Sequence, residues 1–498
     1  MSSAMVGSSA AGQQAGRLIV EPRSLLDRNG RERSGLSILI ENGRIVAIES
    51  AAMFEALEGR RILAPRCVAL PGLSNMHHHG RAISTVAGGL PDSSLENWVV
   101  GLMGMPTGSV SSEALRIAST FARNGITTSL HVHSTAAASA AEYEQELRSI
   151  LSAYATVGVR VVISADLRDQ GLPVYADEEA FFSRLTPDTA RRVRAALPPC
   201  PPIEEALEVI DSLRAEASTG RFGDATVVPG PVAHLWCSDH LLAATARYAT
   251  SHGTPLQTHL LQTPIDRRLE RHRFGHGTLQ EFKDLGLLNE RLSVAHAVLV
   301  DDSEIELLSK SGATVVVAPS SCLRILSAVA PVGRLLTAGV NVALGTDSMG
   351  LAAREDLFEE ARLLQGLSRF GNPEQAQIPS DELFRMITVN AGRAIARSDI
   401  GLLEVGAVGD VVLVDVDQLG PLTTAVSCVD AILGLATAPH HVRTVVISGR
   451  VVVEEGKPLV DEPHSPYTEP ASEVRQLVSE ILPVTRSHYL DWISRSDL

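Results

Sequence analysis

The sequence predicts an α/β fold, a (β/α)8 TIM barrel carrying a small β-sandwich domain formed by both chain ends. Three observations predict it. Eight short apolar segments alternate with helix-patterned segments through the middle of the chain. β-rich sequence flanks that alternation on both sides. No Gly-rich phosphate loop follows any apolar segment, which sets aside the open doubly wound sheet.

In order along the chain, residues 17–22 and 37–49 alternate apolar and polar positions, broken at Asp27-Arg28-Asn29-Gly30 and Asn42-Gly43. Residues 68–75 read as a buried strand running into His77-His78-His79. Further strands are expected at 127–133, 160–165, 226–229, 255–259, 292–296, 314–319 and 341–346. Helical patterns lie between them at 112–124, 140–157, 203–217, 238–252, 278–285, 303–311 and 331–338. After a helix at 381–396, Val-rich strands return at 410–415 and 442–454, with a turn at Ser448-Gly449.

The expected division is a flexible tail at 1–16, sandwich strands at 17–66 and 401–460, a barrel at 67–400 and a helical extension at 461–498. Residues 166–224 exceed what one loop and helix need. With Phe181-Phe182 and Pro198-Pro199-Cys200-Pro201-Pro202, they read as an insertion that forms a lid at the barrel mouth. Residues 471–493 read as an amphipathic helix with an apolar stripe for a second copy, so a homo-oligomer is expected.

Composition narrows the function. With 498 residues the chain can bury a large core without disulfides. A net charge of −15 argues against nucleic acid and anionic membrane as partners and leaves a small-molecule substrate. The five cysteines are scattered without a CxxC, as reduced cytoplasmic thiols are. The N-terminal run lacks the basic and apolar regions of a signal peptide, and no stretch reaches the length of an apolar membrane span.

Active sites of such barrels sit at the C-terminal ends of the strands. The first strand ends in His77 and His79, which share a face because they are two apart, while His78 points elsewhere. The fifth ends in His259, the sixth in His296 and the eighth in Asp347. Imidazoles with one carboxylate suit a borderline divalent ion, zinc first, with iron, manganese or cobalt as alternatives. The only lysines are Lys283, Lys310 and Lys457. None ends the fourth strand, where a carboxylated lysine would bridge two ions, so one ion per chain is expected.

These residues resemble the amidohydrolase superfamily. Pro71-Gly72-Leu73-Ser74-Asn75-Met76-His77-His78-His79 is similar to its strand-one signature and Leu344-Gly345-Thr346-Asp347 to its strand-eight signature. Asn42-Gly43-Arg44-Ile45, Gly409-Asp410-Val411-Val412 and Ser448-Gly449-Arg450 extend the likeness to the flanks. Within the superfamily the chain looks most like the mononuclear branch of heteroaromatic deaminases and s-triazine hydrolases. The resemblance implies that His77, His79, His259 and Asp347 bind the metal. It further implies that His296 bonds the water or the attacked centre, and that Asp347 shuttles protons.

The sequence departs from that branch at two places. The pattern His-x-x-Glu is here His259-Leu260-Leu261-Gln262, and Pro-x-Ser-Asn is Pro319-Ser320-Ser321-Cys322. Gln262 cannot transfer a proton. Ring deamination needs a ring nitrogen protonated, whereas an amide, urea or carbamate does not. The expected reaction is therefore hydrolysis of a non-peptide C–N bond by an activated water, with His296, Asp347 and Gln262 at the reacting centre. The alternatives are a heteroaromatic deaminase or dehalogenase whose missing acid comes from elsewhere, with His131 or His133 as candidates, and a catalytically lapsed scaffold. Substrate contacts are expected from His131, His133, Trp98, Trp236 and Arg324. His234, Asp239, Phe181 and Phe182 lie on the same loops.

Overall fold

The computed structural model describes residues 16–494 apart from 176, 349–350, 352–353, 370–376, 422, 424 and 461–466. The tail expected at 1–16 lies outside the described residues except for Gly16, as does part of the extension expected at 461–498. No helix among the described residues is long and apolar enough to cross a membrane.

Two four-stranded parallel sheets form the centre. One holds β6 (Leu73–His78), β7 (Ile126–Val132), β8 (Arg160–Leu167) and β9 (Ala225–Pro231). The other holds β10 (Leu256–Leu260), β11 (Leu292–His296), β12 (Thr314–Val317) and β13 (Asn341–Leu344). Single parallel bridges, His78 to Asp347 and Ala233 to His259, join the two sheets where their strands end. Met76, Leu130, Val132, Val162, Val228, Val316 and Ala343, drawn from both sheets, form one apolar cluster. Helices separate the strands. Ala140–Val157 ends at Gly158 in the left-handed conformation, and Asp302–Ser311 begins with a capping box from Asp301 and Glu304.

The chain ends share one hydrogen-bonded sheet. It contains β1 (Leu18–Leu26), β2 (Glu32–Ser34), β3 (Ser37–Glu41), β4 (Arg44–Glu49) and β5 (Arg60–Pro71). From the other end come β14 (Val411–Asp415), β15 (Val442–Ile447), β16 (Arg450–Glu454) and β17 (Lys457–Pro458). The order is β17-β16-β15-β14-β5-β1-β3-β4, with β2 paired to β1. The pairing of both ends matches the expectation. The strands form a single hydrogen-bonded network of nine among the described residues.

The strand expected at 68–75 is two strands. Residues up to Pro71 pair with β14, and β6 starts at Leu73 beside β7. Gly72 makes the change of sheet. A Cβ there would lie 2.1 Å from Thr127 Oγ1 and 2.9 Å from Asp410 Cβ. The helix expected at 381–396 is also broken, into Ser380–Met386 and Val389–Ala394.

The insertion packs on the C-terminal helix Ser472–Ser494. Phe181, Phe182 and Val193 join Leu477, Ile481, Tyr489 and Trp492 in one buried cluster. The apolar stripe expected to meet a second copy is thus largely buried within the chain, and Phe181 and Phe182 belong to that core.

Gly72→Ala is expected to cost about 1–3 kcal/mol of stability, read from the denaturant midpoint, because the added methyl overlaps atoms of two elements. Gly366→Ala, at an exposed helical position with open space around it, is expected to gain up to about 1 kcal/mol in the same assay.

Candidate metal centre

Strand-end backbone geometry turns the polar side chains inward. His77 and His79 turn to Asp347 on one side of the strand end, and His78 turns to Glu355 on the other. His296 ends β11 at φ 74°, and Asp347 follows β13 at φ 63°. Left-handed backbone at a non-Gly residue costs of order 1–3 kcal/mol and persists only where its surroundings over-determine it. Here Asp347 N donates to His77 O at 2.8 Å, and His79 N donates to Asp347 O at 2.6 Å.

The five side chains converge. His77 Nε2 and His79 Nε2 lie 3.9 and 3.7 Å from Asp347 Oδ1, and His296 Nε2 lies 3.9 Å from Asp347 Oδ2. Ligand atoms fall into two overlapping triads, His77–His259–His296 and His77–His79–Asp347, all within 4.8 Å of one another in each. Ser321 Oγ donates to Asp347 Oδ2.

The hydrogen bonds behind the rings fix which nitrogen carries the proton. Gln257 Nε2 donates to Met76 O and Ser293 Oγ, so its Oε1 accepts from His77 Nδ1 at 2.8 Å. His259 Nδ1 donates to Val232 O at 2.7 Å. Both Nε2 atoms therefore present lone pairs to the centre. His77 Nε2 is buried without a hydrogen-bond partner among the described residues, and His259 Nε2 faces His79 Nε2 at 3.1 Å. Converging lone pairs beside a carboxylate are what a divalent cation satisfies, so the donor set fits a divalent metal. Burial, then neighbouring histidines, pushes the pKa values of His79 and His296 well down. Burial also lowers His77 and takes His259 down to about 4. All four rings are held in the neutral form that binds metals.

Gln262 follows β10 and is buried. Its backbone is fixed at both ends: N donates to Asp266 Oδ2 at 2.9 Å, and the carbonyl accepts from Ser327 Oγ at 2.6 Å. Asp266 Oδ1 lies 3.2 Å from His234 Nε2. Burial raises the Asp266 carboxyl to about 8, helped by Glu270 and Glu96 and opposed by the Gln262 N–H and Arg267. Burial, with Arg273, lowers His234 to about 3.

The candidate substrate residues are placed less uniformly. His131 and His133 alternate with the inward Leu130 and Val132 and point to the helix Ala140–Val157 instead. His131 Nδ1 meets Tyr154 OH at 3.1 Å, and His133 Nε2 lies 3.1 Å from Glu146 Oε2. Period-two alternation carried along β7 separates them from the centre. Arg324 is bound to Asp92 at 2.7 Å and to Leu351 O at 3.0 Å. Trp236 Nε1 donates to Gly171 O, and its ring meets Tyr175 edge-on. Asp239 pairs with Arg273 across the start of its helix. Trp98 packs with Leu90, Leu95, Met105, Ile325 and Leu351, from segments that follow β6, β12 and β13. Sequence reasoning missed Gln257, Ser321 and Glu355. Gln257 sits two before His259 and so shares its face of β10; Ser321 stands at the Ser of the Pro-x-Ser-Asn pattern, and nothing local marked Glu355.

A family model described as the amidohydrolase family matches residues 68–452. The chain belongs to the amidohydrolase family. Among curated relatives of this amidohydrolase, the 5'-deoxyadenosine deaminase of Methanopyrus kandleri is 28% identical over 404 residues, covering 80% of this chain and 84% of that protein. The 5-methylthioadenosine/S-adenosylhomocysteine deaminase of Syntrophobacter fumaroxidans is 28% identical over 439 residues, covering 86% and 90%. Two solved structures share the fold. Atrazine chlorohydrolase from Arthrobacter aurescens TC1, complexed with zinc, superposes with a TM-score of 0.76 at 21% identity, over 94% of this chain and 100% of that one. An adenosine deaminase from Xanthomonas campestris with bound zinc gives 0.73 at 21% identity, over 94% and 98%.

The Asp266 carboxyl makes a pH signature. Its folded pKa is raised above the unfolded value near 3.9, so its contribution is fully present below that value and is lost as pH rises through about 8. His234, being depressed, loses its contribution only as pH falls below about 6.5 towards its folded value. Between about pH 6.5 and 8, the thermal midpoint of the metal-free protein is therefore expected to fall less steeply in Asp266→Asn than in the parent. Equal slopes would show that Asp266 is already ionised.

Proposed function

We propose that this amidohydrolase is a zinc-dependent hydrolase cleaving the C–N bond of a small, partly apolar molecule, with an amide, urea or carbamate carbon as the point of attack. The reading takes His77, His79, His259 and Asp347 as the holders of one ion. It also takes the eight parallel strands as a closed (β/α)8 barrel, supported by the bridges that link β6 to the segment after β13 and the segment after β9 to β10. The end sheet curls into the sandwich, with Leu18, Val20, Ile38, Val411, Leu413 and Val446 from both chain ends in one core.

A divalent ion held by these residues would supply a water acidified towards neutral pH. Asp347 accepts the proton of the attacking water, its carboxylate aimed by the Ser321 hydroxyl and by two backbone hydrogen bonds. His296 lies beside His77 and His259, with Nε2 3.9 Å from Asp347 Oδ2, and its ring hydrogen-bonds the oxygen of the attacked group as charge develops there. Asp347 then returns the proton to the departing nitrogen. The apolar cluster around Trp98 forms a wall for the rest of the substrate.

The single observation that carries the bond type is Gln262. Its backbone is clamped by Asp266 and Ser327, so the side chain emerges from a fixed point, and an amide there hydrogen-bonds without transferring a proton. A carbonyl-type substrate needs no acid at this point; an aminated ring does. The second reading, deamination of an aminopurine or of a triazine, is favoured by the deaminases that align over most of the chain.

Elemental analysis is expected to find about one zinc or comparable ion per chain, and chelation to abolish turnover. Asp347→Asn is expected to lower kcat at least about 100-fold, the scale of a lost general base. Assayed for ammonia release from aminopurines and aminotriazines, the parent is expected to be inactive and Gln262→Glu to gain activity. A parent that already deaminates these rings replaces the first reading with the second.

A further inference from the structure

One buried carboxylate lies behind the metal centre and takes no part in the chemistry above. Glu355 is fully buried, at φ 53°. Its Oε1 stands 3.2 Å from His78 Nε2, and its Oε2 accepts from Thr346 Oγ1. His78 and Thr346 are the neighbours of the expected ligands: His78 sits between His77 and His79, and Thr346 precedes Asp347. We propose that Glu355 is a positioning residue that holds both ligand-bearing strand ends, of β6 and β13, from behind the metal centre.

The surrounding hydrogen bonds give the clamp a direction. Gly80 N donates to His78 Nδ1 at 2.8 Å, so the ring proton sits on Nε2 and faces Glu355 Oε1. Phe121 packs edge-on against the ring, with centroids 4.9 Å apart. On the other strand end, Asn75 Nδ2 donates to Thr346 Oγ1 at 2.7 Å, which directs the hydroxyl proton to Glu355. Thr346 N returns a bond to Asn75 Oδ1 at 3.1 Å. The backbone that carries Glu355 is anchored in turn: Asn124 Nδ2, from the end of helix Val110–Arg123, donates to the Arg354 and Glu355 carbonyls at 2.8 and 3.0 Å.

No lysine or arginine among the described residues pairs with Glu355. A carboxylate buried this deeply is costly unless a compensating charge stands nearby. Carboxylates that orient ligands from behind are worth roughly 10–100-fold in metal affinity.

This inference rests on the metal reading, and the test separates the two. Zinc affinity is measured by competition with a chromophoric chelator, and the visible spectrum of the cobalt-loaded protein reports ligand geometry. Glu355→Gln is expected to remain folded by circular dichroism, to bind zinc roughly 10–100-fold more weakly and to shift the cobalt bands. Thr346→Val is expected to weaken binding by a smaller factor, and Thr346→Ser to restore it. A folded Glu355→Gln with parental zinc affinity and cobalt spectrum overturns the proposal. Should Glu355→Gln not fold, equal affinities in Thr346→Val and Thr346→Ser overturn it. A parent chain that takes up neither ion removes the metal reading, and the clamp with it.

Discussion

The lone pair on His77 Nε2 is the constraint around which the rest of the site is arranged. It is buried and has no hydrogen-bond partner among the described residues, because the ring proton sits on Nδ1, which donates to Gln257 Oε1. An unmet acceptor at that depth is unfavourable, and the structure multiplies the condition: His259 is fixed in the same tautomer by Val232, and Asp347 brings a carboxylate to the same point. The left-handed residues His296 and Asp347 add backbone strain to this electrostatic demand. A cation relieves the electrostatic part, and the two parallel sheets hold the strained part in place.

The end sheet stabilises that frame from below. Arg160, at the start of β8, reaches out to Asp410 at 2.8 Å, while Asp410 Oδ1 accepts from Ser448 N. Gly72 lets the chain pass from one sheet to the other between Thr127 and Asp410 with no space for a side chain. The central parallel strands and the end sheet are therefore coupled by a buried ion pair and a close backbone approach.

Much of this is legible in the sequence. Strand alternation locates the eight parallel strands to within a few residues, because buried parallel strands are nearly continuous apolar runs. The five converging residues are legible because each ends a strand. The failures have physical causes. At 68–75 the apolar run continues through Gly72, so composition does not mark the change of partner. His131 and His133 end a strand as pocket residues do, yet Leu130 and Val132 occupy the inward positions beside them. The insertion and the C-terminal helix each read as amphipathic, and nothing local says that two such faces cover one another. Glu355 lies beyond β13 in an irregular segment, and its contact with His78 depends on tertiary closure alone.

The sheet built from both chain ends also sets an order of events in time. β5 leaves the ribosome early and pairs with β14, which is made only after all eight parallel strands. At ordinary synthesis rates the edge of β5 waits on the order of tens of seconds for that partner. During that interval it presents unpaired backbone and apolar residues on both faces, Val68 and Leu70 on one and Ala69 on the other. Completion of the end sheet thus waits on a pairing between distant parts of the chain, and a nascent chain is still exposed to misassembly when the five residues that converge at its centre have all been made.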